Sequence, residues 1–88
     1  MVWTIKYTDT AKTLLRKIDK QAARSIVKYM DERVAVLENP REKGKALTGP
    51  LGGLWRYRVG DFRIICDIQD ESLCVLVVKI GNRRDVYR

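Results

Sequence analysis

An α+β layer, with helices packed on one face of a mostly antiparallel sheet, is the fold class that this 88-residue sequence predicts. Three observations carry that expectation. One alternating segment precedes two segments with apolar residues at helical spacing, and only then do further strands follow. The stretch "LWRYRVGDFRII" (54–65) alternates so that every second side chain is apolar. "LCVLVVKI" (73–80) is a nearly unbroken apolar run, as expected of a strand at a sheet centre. At this length the chain is one small domain, residues 1–88, with a thin core.

Each element has its own signal. "VWTIKY" (2–7) places Trp3, Ile5 and Tyr7 on one side of a first strand. Thr8, Asp9 or Thr10 can cap the helix that follows, whose apolar positions are Ala11, Leu14, Leu15 and Ile18. Asp19 is placed to cap a second, longer helix with the stripe Ala23, Ile26, Met30, Val34 and Leu37. Asn39-Pro40 is expected to stop it, because the residue before proline avoids helical geometry. "REKGKALTGPLGG" (41–53) reads as a connection, with Ala46-Leu47 tucked against the core.

Gly60-Asp61 then joins two strands by the kind of two-residue loop that matches strand twist. Pairing Val59 with Phe62 across it puts Trp55, Tyr57, Val59, Phe62, Ile64 and Cys66 on one dry face. A three-residue turn at Gln69–Glu71 would add Cys74, Leu76, Val78 and Ile80 to that face. The same register sets Cys66 opposite Cys74, although two thiols buried in apolar runs are expected to stay reduced in a cytosolic protein.

The other face of the hairpin is unusual. Arg58 falls opposite Arg63, with Arg56 two residues along and Lys79 on the last strand, among Ile65, Val75 and Val77. Like charges placed opposite one another destabilise a sheet. Guanidinium forks on rigid strands suit the paired oxygens of a phosphate, and an arriving anion would relieve the repulsion. The alternative is that the arginines splay into water while their stems cover apolar surface. Arg83, Arg84 and Tyr87 follow the last strand closely enough to join the same face, which favours a phosphodiester site. Lys43, Lys45 and Asn82 are counted with the groups that would hold RNA.

The net charge of +7, without any histidine, favours anionic partners, although charge of this size also serves solubility. No metal-ligand spacing is present, so neither a metal site nor any other cofactor is expected. The N-terminus lacks the pattern of a signal peptide and no run reaches membrane-spanning length, so a cytoplasmic protein with no membrane partner is expected. RNA cleavage by its own 2′-hydroxyl requires activation of that hydroxyl, stabilisation of charge on phosphorus and protonation of the leaving 5′-oxygen. Arginines supply the second service. The proton transfers are harder without histidine. Tyr87 could act as a base only if neighbouring cations lowered its pKa well below about 10.

These residues resemble the RelE/ParE superfamily of bacterial toxins from type II toxin–antitoxin systems, and more closely its RelE branch. The resemblance runs through "LENPR" (37–41), "ALTGPLGGLWRYRVGDFRIICDI" (46–68) and "VVKIGNRRDVYR" (77–88), and "RYRVGDFRI" with "GNRRDVY" are its specific parts. It implies a RelE-like fold and a ribosome-dependent, metal-independent endoribonuclease that cuts messenger RNA in the decoding site. By this likeness Arg56 and Arg58 match the basic pair before the turn, and Arg63 the arginine that steadies the phosphate. Arg83 matches the candidate general acid, and Tyr87 the group that orients or activates the 2′-hydroxyl, with stacking on RNA as its other role. The implied partners are the ribosome and mRNA, and an antitoxin whose acidic amphipathic segment covers the basic face. Operator DNA would be reached only through that antitoxin.

Two departures bear on the chemistry. The best-known relatives carry lysines where Arg56 and Arg58 stand, and arginine is a poor base. Many close relatives place histidine before the arginine that matches Arg83, where this chain has Asn82. Asn82 can hydrogen-bond RNA but cannot shuttle a proton. Two other readings therefore stand beside the ribonuclease: a ParE-like inhibitor of DNA gyrase, and a catalytically impaired module that binds RNA or protein.

Overall fold

The computed structural model describes residues 2–84 and 86. Strand β1 (Thr4–Tyr7) leads into helix α1 (Asp9–Lys17) and helix α2 (Lys20–Tyr29), which passes into a π-helical turn over Met30–Val34. After a 3-10 turn at Pro40–Glu42 come the short strand β2 (Lys45–Ala46) and a second 3-10 turn at Gly49–Leu51. Strands β3 (Trp55–Val59), β4 (Phe62–Gln69) and β5 (Cys74–Asn82) complete the sheet. The sheet order is β1-β5-β4-β3-β2, with β1 parallel to β5 and every other pairing antiparallel. This is the α+β layer expected from the sequence.

The helix starts follow from local chemistry. Thr8 is the residue that caps α1, its hydroxyl accepting from the Ala11 amide at 3.2 Å. The Asp19 carboxylate accepts from the Ala22 amide at 3.1 Å and caps α2. Ile26, Met30 and Val34 are spaced four apart and are all fully buried against the sheet. The helical run ends before Asn39-Pro40, because the π-turn closes with the Ala35 amide donating to the Met30 carbonyl. Asn39 instead caps the 3-10 turn, its side-chain oxygen accepting from the Arg41 amide at 3.0 Å.

The dry face of the β3–β4 hairpin is the expected one. Trp55↔Cys66, Tyr57↔Ile64 and Val59↔Phe62 pair in register. Tyr57, Ile64 and Cys66 are fully buried among Ile26, Met30 and Val34. The Tyr57 hydroxyl reaches the Pro40 carbonyl at 2.7 Å, so this core tyrosine anchors the connection that follows the helices.

The β4–β5 hairpin differs from the expected register. Gln69 pairs with Cys74, leaving a four-residue loop, Asp70–Leu73, in place of three residues. Leu73 adopts φ +50° there. A one-residue change of loop length swaps every side chain to the other face. Val75 and Val77 therefore enter the core, in place of Leu76 and Val78, and Cys66 faces Val77. Cys66 and Cys74 are both free thiols, and burial pushes the Cys66 thiol far above its ordinary pKa. A register shift between Ile65 and Cys66 then restores the expected faces, so that Ile80 packs inward opposite Ile64 and Lys79 stands beside Ile65. Ala46 is another correction. It is exposed on the edge strand β2, while Leu47 is half-buried and donates its amide to the Leu54 carbonyl at 3.0 Å.

Arg41 and Asp70 close the molecule at the end away from Gly60-Asp61. Their side chains form a two-pronged bridge at 2.9 and 2.8 Å between the first 3-10 turn and the β4–β5 loop. The Arg41 guanidinium holds the Asp70 carboxyl below its ordinary range. A carboxyl with a depressed folded-state pKa stabilises the fold above its unfolded pKa of about 4, and that contribution disappears as pH falls through the folded value. Asp70→Asn is therefore expected to lower the melting temperature slightly near pH 7, because the pair is exposed and screened. Wild type and variant should melt together near pH 2, and a gap persisting there would show that the ion pair is not its cause.

Candidate RNA-binding face

The sheet face turned away from the helices carries the charge. Arg58 pairs directly with Arg63, and Arg63 with Gly81 on β5. Paired residues of neighbouring strands lie about 5 Å apart, and two such arginines oppose the hairpin by roughly 0.2–1 kcal/mol. The register is held by the apolar pairs on the other face and by Gly60, whose φ of +57° suits the tight turn. Arg56 pairs with Ile65 and Ile65 with Lys79, so these two cations flank Ile65 about 10 Å apart across the sheet. Lys79 also borders a cleft beneath α1 with Asp9, Thr13 and Lys17, which places it at the rim of the basic face.

Arg63 is the most constrained of the set. It is only 8% exposed, and its Nη1 donates to the carbonyls of Phe62 and Gly60 at 3.3 and 3.4 Å. Among the described residues no carboxylate pairs with Arg58, Arg63 or Arg83. Burying a guanidinium against two long carbonyl contacts leaves much of its donor capacity unspent.

The segment after β5 is bound to the same end of the sheet. The Arg83 amide donates to the Asp61 carbonyl at 3.0 Å, and Asp61, Asn82, Arg83 and Arg84 line a shallow cleft of about 360 Å³. Asn82, Arg83 and Arg84 are exposed. Val86, by contrast, is fully buried, with its amide on the Asn82 carbonyl at 3.0 Å. It lies over Gly81, where an added Cβ would come within 3.1 Å of the Val86 backbone. Val86 therefore turns back onto the arginine-bearing face in the space left by glycine's missing side chain. Tyr87, expected to complete the site, lies outside the described residues.

On the other flank, Gly44 brings the basic connection against β3. At φ +78° a Cβ there would stand 2.4 Å from the Arg56 carbonyl oxygen and 2.9 Å from the Trp55 ring. Trp55 Nε1 donates to the Lys43 carbonyl at 2.7 Å, fixing the chain on either side of that contact. Lys45 then pairs with Arg56 and joins Arg58 around a cleft of about 240 Å³. Tyr29 of α2 closes this cleft. Neither Tyr29 nor Val86 is singled out by the sequence pattern. Tyr29 sits on a helix among core positions, and Val86 is a lone apolar residue in a polar tail. Among the described residues no group of His, Cys, Asp or Glu side chains is arranged to hold a metal ion, and no helix is long and apolar enough to cross a membrane.

The protein is thus a small α+β domain with a cationic sheet face, on which a buried arginine, Arg63, has no carboxylate partner among the described residues. Residues 5–87 match the family described as ParE toxin of type II toxin-antitoxin system, parDE. Toxin RelG of Mycobacterium tuberculosis is 28% identical over 88 residues, spanning 100% of this chain and 99% of that toxin. Toxin RelE of the same organism is 31% identical over 84 residues, 96% of this chain and 84% of that protein. Among solved structures, the RelBE2 toxin–antitoxin complex of M. tuberculosis superposes with a TM-score of 0.83 at 25% identity, over 94% of this chain and 100% of that one. The free-state structure of a mutant of the E. coli toxin RelE gives a TM-score of 0.74 at 23% identity, covering 93% and 84% of the two chains, and shows the shared fold. The chain belongs to this family of type II toxins and is a RelE-like member of it.

The two glycines give a direct test of how the face is held together. Gly44→Ala is expected to cost about 1–3 kcal/mol in chemical denaturation, since it meets backbone and requires a strained φ. Gly81→Val should cost a similar amount by overpacking against Val86. In the second variant, hydrogen exchange at the Arg83 and Val86 amides should quicken while that of the β3–β4 hairpin is retained. Uniform quickening would mean that the tail is not separately held by this contact.

Proposed function

We propose that this toxin is a ribosome-dependent endoribonuclease that cuts mRNA in the cytoplasm and is neutralised by a cognate antitoxin. The observation that carries this reading is the meeting of Arg58 and Arg63 on paired strands with Arg83 tied to the same turn, none with a carboxylate partner among the described residues. The resemblance to RelE-type toxins supports the same reading. The solved relatives that are complexes of a RelE toxin with RelB support an antitoxin partner. An acidic amphipathic segment would complement the charged face, and operator DNA would be bound through the antitoxin.

In the proposed reaction the 2′-oxygen attacks the adjacent phosphorus and the bond to the 5′-oxygen breaks. The products are a 2′,3′-cyclic phosphate and a 5′-hydroxyl end, with one proton leaving the 2′-oxygen and one reaching the 5′-oxygen. Arg63, already fixed against its turn, holds the non-bridging oxygens where the additional negative charge develops. Arg56, Arg58 and Lys45 neutralise the neighbouring backbone, Lys43, Lys79 and Arg84 extend that field, and Asn82 offers an uncharged hydrogen bond to the RNA. Arg83 stands as donor to the leaving oxygen, and Tyr87 orients or deprotonates the 2′-hydroxyl.

Inhibition of DNA gyrase is a second reading, supported by the parDE description of the matched family. Programmed ribosomes with mapped RNA ends separate the two. Cuts at a defined place in the codon support the ribonuclease, whereas intact message together with inhibited gyrase would replace it. Arg63→Ala should slow cleavage by about 10²–10³, the usual loss for one preorganised donor to developing charge. Tyr87→Phe should also slow cleavage strongly, and full rates in both variants would remove the site assignment. Asn82→His is expected to raise the rate by at least about tenfold through a general acid–base group, and an unchanged rate would show that proton transfer is not limiting.

A further inference from the structure

We propose that Tyr29 is a stacking platform for the nucleotide beside the scissile phosphate, so that the message crosses the edge of β3 as well as the arginine face. The inference rests on the RNA-cutting reading and gives it a second point of contact. Tyr29 stands at the C-terminal end of α2, half-buried. Its ring packs on Tyr57 with centroids 6.4 Å apart and planes inclined at 58°. Tyr57 is itself pinned by its hydrogen bond to Pro40. The Tyr29 ring is thereby held in place, which lowers the ordering cost of binding against it.

Two clefts meet at this ring. One, of about 240 Å³, is bounded by Gly44, Lys45, Arg56 and Arg58. The other, of about 370 Å³, is bounded by Lys28, Glu32, Arg33 and Val59. The Arg33 charge acts on the Tyr29 hydroxyl and opposes the rise in its pKa caused by burial. An aromatic ring between two cation-lined hollows matches what single-stranded RNA presents, a flat base with a phosphate on either side. The sheet does not obstruct this path. β2 pairs only with Trp55 and Arg56, so the outer edge of β3 beyond them has no strand beside it among the described residues. Glu32 is the one carboxylate on the track, against five cations.

A base stacked here would lie on the Arg58 side of the scissile phosphate, since Tyr29 and Arg58 border the same cleft. The larger π-face of a purine should be preferred at that position, which makes Tyr29 a determinant of where the message is cut.

The test uses programmed ribosomes carrying a message with a 2′-deoxy nucleotide at the cut position, so that binding is read without cleavage. An abasic nucleotide is placed on either side of the scissile phosphate in turn. Wild-type affinity should fall on the order of tenfold for one of the two positions, the usual worth of a base–aromatic stack. Tyr29→Ala should bind the intact message on the order of tenfold more weakly and lose nothing further on base removal. Tyr29→Trp should behave as wild type. Tyr29→Leu preserves an apolar contact with Tyr57 while removing the π-face, and its melting temperature separates lost stacking from lost fold. Equal losses on base removal in wild type, Tyr29→Ala and Tyr29→Leu would overturn the inference, as would indifference of the wild type to both abasic positions. If wild type shows the base-dependent affinity yet leaves a cleavable message intact, the proposed cleavage fails and the stacking role stands.

Discussion

The two-residue turn at Gly60-Asp61 is the constraint on which both halves of this molecule depend. With Val59 paired to Phe62, Tyr57, Ile64 and Cys66 point into the core, and Arg58 and Arg63 point away from it. Strand periodicity allows no intermediate outcome, since a slip of one residue would send the arginines under the helices and the aromatic side chains into water. Burial of several large apolar groups, each contributing about 1.5–3 kcal/mol, far outweighs the roughly 0.2–1 kcal/mol of repulsion between two facing arginines. The core thus sets the geometry of a charged face that would not assemble by itself.

That imbalance has a functional consequence. Because the sheet is held from its other side, the guanidinium groups cannot relax apart by changing register, and only side-chain rotation can separate them. Arg63 has lost most of that freedom, being buried with its Nη1 on two backbone carbonyls. On the proposed reading an arriving phosphate would meet a guanidinium already in position, which is the arrangement that makes electrostatic stabilisation effective. Arginine gives up the readier proton release of lysine for a fixed fork geometry, so these positions contribute charge and orientation. The glycines serve the same end from two sides. Gly44 admits Lys43 and Lys45 against β3, and Gly81 admits the tail that carries Arg83.

Much of this was legible in the sequence because it is governed by short-range rules. The caps at Thr8 and Asp19, the stripe through Ile26, Met30 and Val34, and the β3–β4 register all follow from spacing over a few residues. The β4–β5 register was not legible. Loops of three and four residues suit the run Gln69–Leu73 equally well, and "LCVLVV" is apolar on both faces, so alternation could not choose between them. The later register shift that returns Lys79 to the charged side is a tertiary adjustment with no local signal. Val86 and Tyr29 were missed for a related reason. Each takes its place from a contact that strand or helix periodicity does not report, Val86 by turning back over Gly81 and Tyr29 by bordering a cleft built by the 44–58 segment.

The distribution of ionisable groups bears on why such a toxin would need the ribosome. A phosphodiester cut needs two proton transfers, and this chain has no histidine. Burial raises the pKa values of Tyr7, Tyr29 and Tyr57, and that of the Cys66 thiol, so none of these groups is made a better base at neutral pH. The face instead concentrates fixed positive charge, which on the proposed reading would stabilise a transition state once the 2′-oxygen is in line with the leaving 5′-oxygen. Alignment is itself a large contribution, since well-oriented intramolecular attack corresponds to effective molarities of about 10⁵–10⁸ M. On the proposed reading the ribosome supplies that alignment by holding the codon extended in the decoding site, and the toxin supplies the charge. A free RNA strand would meet the same arginines without the geometry that makes their charge productive. The dependence on the ribosome then follows from what the site lacks as much as from what it contains.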